Sequence, residues 1–383
     1  MRPRPARLLA LAALAAGAGA CGRSPAPRPP GPAPDAVVGV VGPLTGPAAA
    51  YGRSQLDGAT LAAEEVAARG GAAGARLRLE PRDDGADQQR AAAHARELVV
   101  GAGVAAIVGA INSDCTHQVE MVAVKLHVPQ VTTASTDPSV TDTGSPWIFR
   151  CLADDVLQAR AVVEHLLGTA RARAVALVCQ QNRYGRMGIA EVARAVRAAG
   201  ATVVADEGYA SGTADFAPVA GRVAAARPDA VVVWSLYREG ADFVAALRAA
   251  GCTATVYAGD GLVSPEYPAR AGAAAEGTLV TFPFDPDATP ASRDFVRRFT
   301  ARFGHAPDSF AAHGHDAVLL LADAAERAGG WDRARLRDAL SATDGLRGAT
   351  GELRFDRTGN DLRPVRLARV VLGRFVPLRE GPE

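Results

Sequence analysis

The sequence predicts an α/β protein of two Rossmann-like lobes, each with a parallel-sheet core, joined by a hinge. Three observations predict it. Apolar runs of strand length alternate with stretches of helical spacing from Val37 to Val108, the pattern of parallel strands linked by crossover helices. The same alternation starts afresh at Arg173, so there are two blocks. Pro283, Pro286 and Pro290 then mark a crossing or hinge, and the helices and strand-like segments beyond them look like a chain returning to finish both blocks. A length of 383 residues suits two cores at roughly 100–200 residues per domain.

In the first block a β-branched strand over 37–41 ends in the turn Gly42-Pro43-Leu44-Thr45-Gly46. A helix over 52–68 follows, with Leu56, Ala59, Ala63 and Val66 on one face. Leu77 and Leu79 alternate with charged residues in a strand that ends at Arg82-Asp83-Asp84; a helix over 88–100 and a strand over 104–108 come next. Asn112-Ser113-Asp114 opens a helix, and the run QVTTAS after Pro129 is a strand leading into Ser135-Thr136-Asp137-Pro138. A short strand over 147–150 precedes Asp154-Asp155, which open a helix through Leu167. In the second block, strands over 174–179, 202–205, 230–234 and 255–258 are separated by helices over 187–199, 216–226 and 240–250. The return path carries a strand over 278–284, helices over 292–303, 309–328 and 333–342, and strands over 352–355 and 365–376 around the turn Asp356-Arg357-Thr358-Gly359-Asn360. The expected lobes are 35–152 with 283–357, and 153–282 with 358–383.

The first 20 residues read as an export signal: Arg2, Arg4 and Arg7, then an apolar run over 8–20 that is too short to span a bilayer. Ala18-Gly19-Ala20 before Cys21 resembles a bacterial lipobox, so lipidation at Cys21 is expected, followed by a proline-rich tether over 21–34. Export places Cys115, Cys151, Cys179 and Cys252 in an oxidising compartment. Cys179 ends a strand and Cys252 follows a helix, at opposite ends of a parallel sheet, which argues against their pairing; Cys115 and Cys151 could lie near each other, and the four are expected as unpaired, partly buried thiols. A formal net charge of +1 gives no electrostatic footprint for nucleic acid.

Enzyme chemistry is not written in this chain. The lone lysine, Lys125, lies late in a helix, so phosphate-loop and Schiff-base chemistry have no anchor, and there is no Gly-x-Ser-x-Gly elbow. His313, His315 and Asp316 resemble metal ligands but sit at the start of a helical run, where polar residues are ordinary; neither metal nor cofactor is expected. Asp83-Asp84 and Asp154-Asp155 fall at a strand end and a helix start, where solvation and capping are expected. What the residues do suit is a zwitterion. Ser113 stands at a helix start, which favours a carboxylate, and Thr136 follows the next strand end. Asp260 follows the strand over 255–258 in the other block, where it would pair a buried ammonium. Tyr51, Tyr184 and Tyr237 stand at turns or helix starts, as walls of a cleft.

From Ala36 onward the chain resembles the type I periplasmic substrate-binding proteins of the Leu/Ile/Val-binding family. The resemblance is carried, in order, by VGVVGPLTGPAAAYG, DGATLAAEEV, VGAINSD, VPQVTTASTDPSVTD with WIFR, QQNRYG, YAGDGLVS, HDAVLLLADAAERAG and GELRFDRTGN. It implies a two-lobed receptor that binds an amino acid, branched-chain or otherwise apolar, and delivers it to the permease of an ABC importer. It also implies roles. Ser113 takes the α-carboxylate, the Ala134 backbone and the Thr136 hydroxyl contact the ligand, with Thr136 able to serve either end, Asp260 holds the α-ammonium, and Tyr51, Tyr184 and Tyr237 line the cleft. Two positions depart from the family pattern: His315 stands where a tyrosine is common, and Asp114-Cys115-Thr116 replaces small residues after the serine. The fold also carries ligand-sensing receptors and receptors for amides, urea-like compounds and aromatic acids, and these stay open as alternatives. An exported hydrolase is the third possibility, and no nucleophile–base pair emerges to support it.

Overall fold

The computed structural model describes residues 34–379; the leader over 1–20, Cys21 and the tether up to residue 33 lie outside the described residues. Five parallel strands form the first sheet: β1 (Asp35–Gly42), β2 (Arg76–Asp83), β3 (Ala106–Val108), β4 (Gln130–Thr132) and β5 (Ile148–Arg150), in the order β2-β1-β3-β4-β5. The central strands are buried on both faces, which is why β3 reads as an unbroken apolar run and not as an alternating one; the buried Gln130 and Thr132 of β4 donate to the Gly109 and Ala110 carbonyls.

The helices Ala49–Ala68 and Ser309–Ala328 pack backbone to backbone beside this sheet. Glycines permit the approach: a Cβ on Gly58 would lie 1.9 Å from the Ala311 carbonyl oxygen, and one on Gly314 would lie 2.3 Å from that of Gln55. The second helix is buried almost all round, so a segment distant in sequence completes the first lobe's core.

The second sheet begins with β6 (Ala174–Gln180), β7 (Thr202–Tyr209), β8 (Ala230–Trp234), β9 (Thr255–Ala258) and β10 (Leu279–Phe282), all parallel. A separate hairpin, β11 (Asp344–Gly348) with β12 (Gly351–Arg354), comes before the chain rejoins this sheet. β11 went unrecognised in the sequence because DGLRG carries one apolar residue and is half exposed. The last two strands, β13 (Arg366–Val371) and β14 (Arg374–Pro377), add antiparallel to β10, giving β14-β13-β10-β9-β8-β6-β7. The single strand expected over 365–376 is therefore a hairpin. Its turn, Leu372-Gly373, has φ of 50° and 72°, the left-handed pair that a two-residue hairpin requires.

The crossing between lobes after β12 also differs from expectation. Asn360 bridges to Arg150 of β5, and Gly359 accepts the Arg150 N–H at 2.9 Å. Residues 358–361 thus stay with the first sheet, and the crossing falls beyond the expected 357/358 boundary. Arg150 itself is fully buried and donates to the Ser135 carbonyl (2.9 Å), the Asp137 carbonyl (2.8 Å), Thr141 Oγ1 (2.6 Å) and Asn360 Oδ1 (3.0 Å). A buried guanidinium is tolerated only when satisfied in this way, and here it pins the loop after β4.

The four described cysteines are buried and unbridged, more deeply placed than the expected partly buried thiols. Among the described residues no helix is long and apolar enough to cross a membrane.

Candidate functional site

The loops after β1, β3 and β4 meet those after β6, β8 and β9 around one small cavity, with about 30 Å³ of water-accessible space. Crevices at the carboxyl ends of parallel strands are where α/β folds bind ligands, and this one is drawn in well below the ~300–1,000 Å³ usual for ligand sites. Five of the seven expected residues line it: Tyr51, Ser113 and Ala134 from the first lobe, Tyr184 and Asp260 from the second. Thr136 and Tyr237 lie behind that wall.

Ser113 is the first residue of the helix Ser113–Lys125 and is 2% exposed. Its Oγ accepts from Ser135 Oγ at 3.1 Å, which leaves its own proton for an acceptor in the cavity. The helix N-terminus behind it adds free N–H groups and positive potential. Thr136 is fully buried, and its carbonyl accepts the Asp155 N–H at 2.7 Å.

On the opposite side, Asp260 is 5% exposed and accepts from the Tyr184 hydroxyl at 3.0 Å. Its N–H donates to Gln158 Oε1 at 3.3 Å. Burial raises its carboxyl to about 6, although hydrogen bonds from Tyr184 and Gln158 pull the other way. The Tyr184 hydroxyl also accepts the Gly261 N–H at 2.8 Å, so it is held from both sides, and burial pushes it well above the usual phenol range.

Tyr51 fastens one lobe to the other. Its hydroxyl donates to the Gly261 carbonyl at 2.5 Å and accepts the Tyr237 N–H at 3.1 Å. Its ring stacks on Phe310 at 4.3 Å and meets Tyr237 edge-on at 5.0 Å. Tyr237 turns its hydroxyl away from the cavity, to the Pro47 carbonyl at 3.1 Å, so it buttresses Tyr51 from behind.

Asp155 is the main residue the sequence reading misplaced. Asp154 caps its helix as expected, accepting the Leu157 N–H at 2.9 Å. Asp155 is fully buried instead and accepts from Trp234 Nε1 at 3.2 Å, while its Oδ2 has no partner of good geometry. Burial first, and the negative Asp260 nearby, hold its carboxyl well above the ordinary range. The signal was present in the sequence: Asp155, Gln158, Ala159 and Val162 share one helix face, and that face is buried. Asp84, also expected to be solvated, is likewise fully buried, and its carboxyl is raised to about 6 by burial. Ile111, Asn112, Leu236, Gly261 and Phe310 complete the lining; as ordinary loop and helix residues they carried no mark in the sequence. His313 and His315 are engaged within the first lobe, with Ser309 O at 2.6 Å and Glu65 Oε2 at 3.2 Å.

The cavity therefore offers one carboxylate, a second behind it, a serine hydroxyl at a helix start, and no cationic side chain in its wall. That set can hold an ammonium at one end and accept a carboxylate through hydroxyl and N–H donors at the other.

A model of the periplasmic binding protein family matches residues 36–374. An amino acid binding protein of Pseudomonas aeruginosa is 30% identical over 329 residues, covering 85% of this chain and 87% of that protein. The Leu/Ile/Val-binding protein homolog 3 of Brucella melitensis is 30% identical over 328 residues, covering 85% and 88%. Among solved structures, the leucine binding protein LivK of Thermotoga maritima has a TM-score of 0.85 at 28% identity, over 90% of this chain and 98% of that one. The branched-chain amino acid transporter substrate binding protein LivJ of Streptococcus pneumoniae, in complex with isoleucine, has a TM-score of 0.84 at 26% identity, over 90% and 99%. This chain, with its two parallel-sheet lobes and a cavity between their strand ends, belongs to the periplasmic binding protein family, in its type I superfamily alongside Leu/Ile/Val-binding members.

Proposed function

We propose that this protein is the extracytoplasmic receptor of an ABC importer and closes over an α-amino acid that it hands to the permease. One observation carries the reading: Ser113 and Asp260, from opposite lobes, line the same small cavity. In this assignment Ser113 and the N–H groups at its helix start take the α-carboxylate together with the Ala134 backbone. Asp260 pairs the α-ammonium, with Tyr184 orienting it and Thr136 and Asp155 supporting from behind. The side chain lies against Tyr51, Ile111, Leu236 and Phe310, which suits a branched-chain or other apolar amino acid. An aromatic acid or another anion without an ammonium would leave Asp260 facing like charge.

The moving bodies are residues 35–152 with 283–361 and residues 153–282 with 362–379, a ligand favouring closure by its differential affinity for the closed form. Lipidation at Cys21 would tether the receptor to the membrane surface; the basic residues, apolar run and small residues before Cys21 support that assignment. The test is calorimetric titration with amino acids, amides and aromatic acids, repeated on Asp260→Ala and Ser113→Ala. Each variant is expected to lose at least about tenfold in affinity, because a charged end of the ligand is left unpaired. Amino-acid affinity unchanged in both variants refutes the assignment.

A further inference from the structure

We propose that Asn112 reads a hydroxyl group on the ligand's side chain, so that the preferred ligand is a small β-branched amino acid carrying an OH. The inference rests on the amino-acid reading above and narrows it.

Asn112 occupies the N-cap position of the helix Ser113–Lys125 with extended backbone, φ −70° and ψ 135°, yet its side chain makes no capping hydrogen bond. Asparagine is among the strongest N-cap residues, and the second lobe shows the ordinary outcome. There Asn182, at the matching strand-to-helix junction, accepts the Gly185 N–H at 2.8 Å. Asn112 instead lines the cavity, and its Oδ1 is buried with no hydrogen-bond partner among the described residues. A buried amide oxygen left unsatisfied is costly, so the cavity's occupant is the natural source of its partner.

The other polar groups of the cavity already have roles. The Tyr51 hydroxyl is used as donor and acceptor, and so is that of Tyr184. Ser113 and Asp260 are assigned to the ligand's carboxylate and ammonium. Asn112 precedes Ser113 through extended backbone, and neighbouring side chains on such backbone leave in different directions, which gives Asn112 a part of the ligand other than the carboxylate assigned to Ser113. What remains for it is the ligand's side chain. The rest of that wall is apolar (Ile111, Leu236, Phe310 and the Tyr51 ring) and the space is small. A short side chain with one methyl and one hydroxyl fits both facts. A hydroxyl also suits either orientation of the amide, because it donates and accepts.

The experiment compares L-threonine with L-valine, which have nearly the same shape, by calorimetric titration of the parent, Asn112→Leu and Asn112→Ala. The expected result is that the parent binds threonine at least about tenfold more tightly than valine, since valine leaves the amide oxygen unpaired. In both variants the ratio falls to about one or reverses. The ratio is measured within each variant, so partial loss of folding in one of them does not mimic the effect, and the smaller alanine variant serves if the leucine variant does not fold. Valine binding as tightly as threonine to the parent overturns the proposal, as does an equal loss of both ligands in the variants, which would place Asn112 at the ligand's backbone. Leucine or isoleucine binding with no threonine preference leaves the amino-acid reading standing and defeats this inference alone; binding of no amino acid defeats both.

Discussion

Arg183, at the start of the helix Arg183–Ala198 in the second lobe, forms an ion pair with the fully buried Asp137 of the first lobe. The same guanidinium donates to Ser139 Oγ at 2.8 Å, and the Arg183 N–H donates to Asp114 Oδ2 at 3.3 Å. Asp137 also pairs with His117 at 3.0 Å, and His117 with Glu120 at 3.0 Å. None of these residues lines the ligand cavity, so the cluster joins the two lobes outside the ligand site.

Arg183→Ala is expected to weaken amino-acid binding about three- to thirtyfold while leaving the order of ligand preference unchanged. The pair exists only when the lobes meet, so its loss is felt on the closed form alone. Arg183 is 35% exposed, so solvent screening keeps the effect well below that of a fully buried pair. Titration of two ligands together with small-angle scattering of the free and bound protein checks it; a change in ligand order would place Arg183 in the binding site.

The same cluster sets a pH dependence. Burial and the repulsion of Arg183 lower His117, but the hydrogen bonds it donates to the Asp137 and Glu120 carboxylates outweigh them, raising it to about 9. A histidine raised from its unfolded value of about 6.5 adds stability that is complete below that value and is lost as pH rises through about 9. Melting temperatures of the parent are therefore expected to fall between pH 7 and 9.5 by more than those of His117→Gln. Parallel curves would show that His117 is neutral in the native protein.

Asp260 gives the opposite pairing of stability and function. Its carboxyl is raised by burial to about 6, so the stability it contributes is present below its unfolded value and is lost as pH rises through 6. At pH 7 the unliganded native state carries a cost of order 1–3 kcal/mol from this one charge. Asp260→Asn is expected to raise the melting temperature of the free protein and to abolish amino-acid binding. In the parent, affinity should fall as pH drops below about 6, since the ammonium needs the ionised acid. A pH-independent dissociation constant between pH 4.5 and 7 would remove Asp260 from the ammonium role.

Tyr51→Phe keeps the cavity wall but strips the Gly261 carbonyl and the Tyr237 N–H of their partner. In the open form water satisfies both groups, so the cost, about 1–3 kcal/mol, falls on closure. Affinity is expected to drop ~10- to 100-fold with little change in the melting temperature of the free protein. A large stability loss with intact affinity would contradict this account.

Gly58→Ala tests the core that holds the site. The new Cβ would meet the Ala311 carbonyl oxygen at 1.9 Å, which forces two helices apart at the turn that carries Phe310. Overpacking of this kind costs ~1–3 kcal/mol and more where backbone must move. Both the melting temperature and the ligand affinity are expected to fall.

The strand-and-helix alternation was readable because strands buried on both faces leave unbroken apolar runs, as at Val38 to Val41, and because Asp154 marks a helix start; the helix expected over 187–199 begins earlier, at Arg183, capped by Asn182. Ser113 and Asp260 were readable as strand-end polar residues, the place where such folds bind. β11 was not readable, since a half-exposed hairpin of mixed residues has no period. Asp155 was obscured by its neighbour, because an acid beside a cap reads as part of the cap until its helix face is known to be buried.

The class of fold, the two-lobed division and the residue types offered at the strand ends follow from local chemistry, because hydrophobic periodicity and capping act over a few residues. Which of those residues share one cavity follows from the packing of the lobes. Tyr51 and Gly261 are 210 positions apart, and Arg183 and Asp137 are 46 apart, so their pairing is a property of how the two sheets face each other. The same holds for Asn112: its type and position were plain in the sequence, but that its amide would be left uncapped, buried and turned to the cavity depends on what surrounds it.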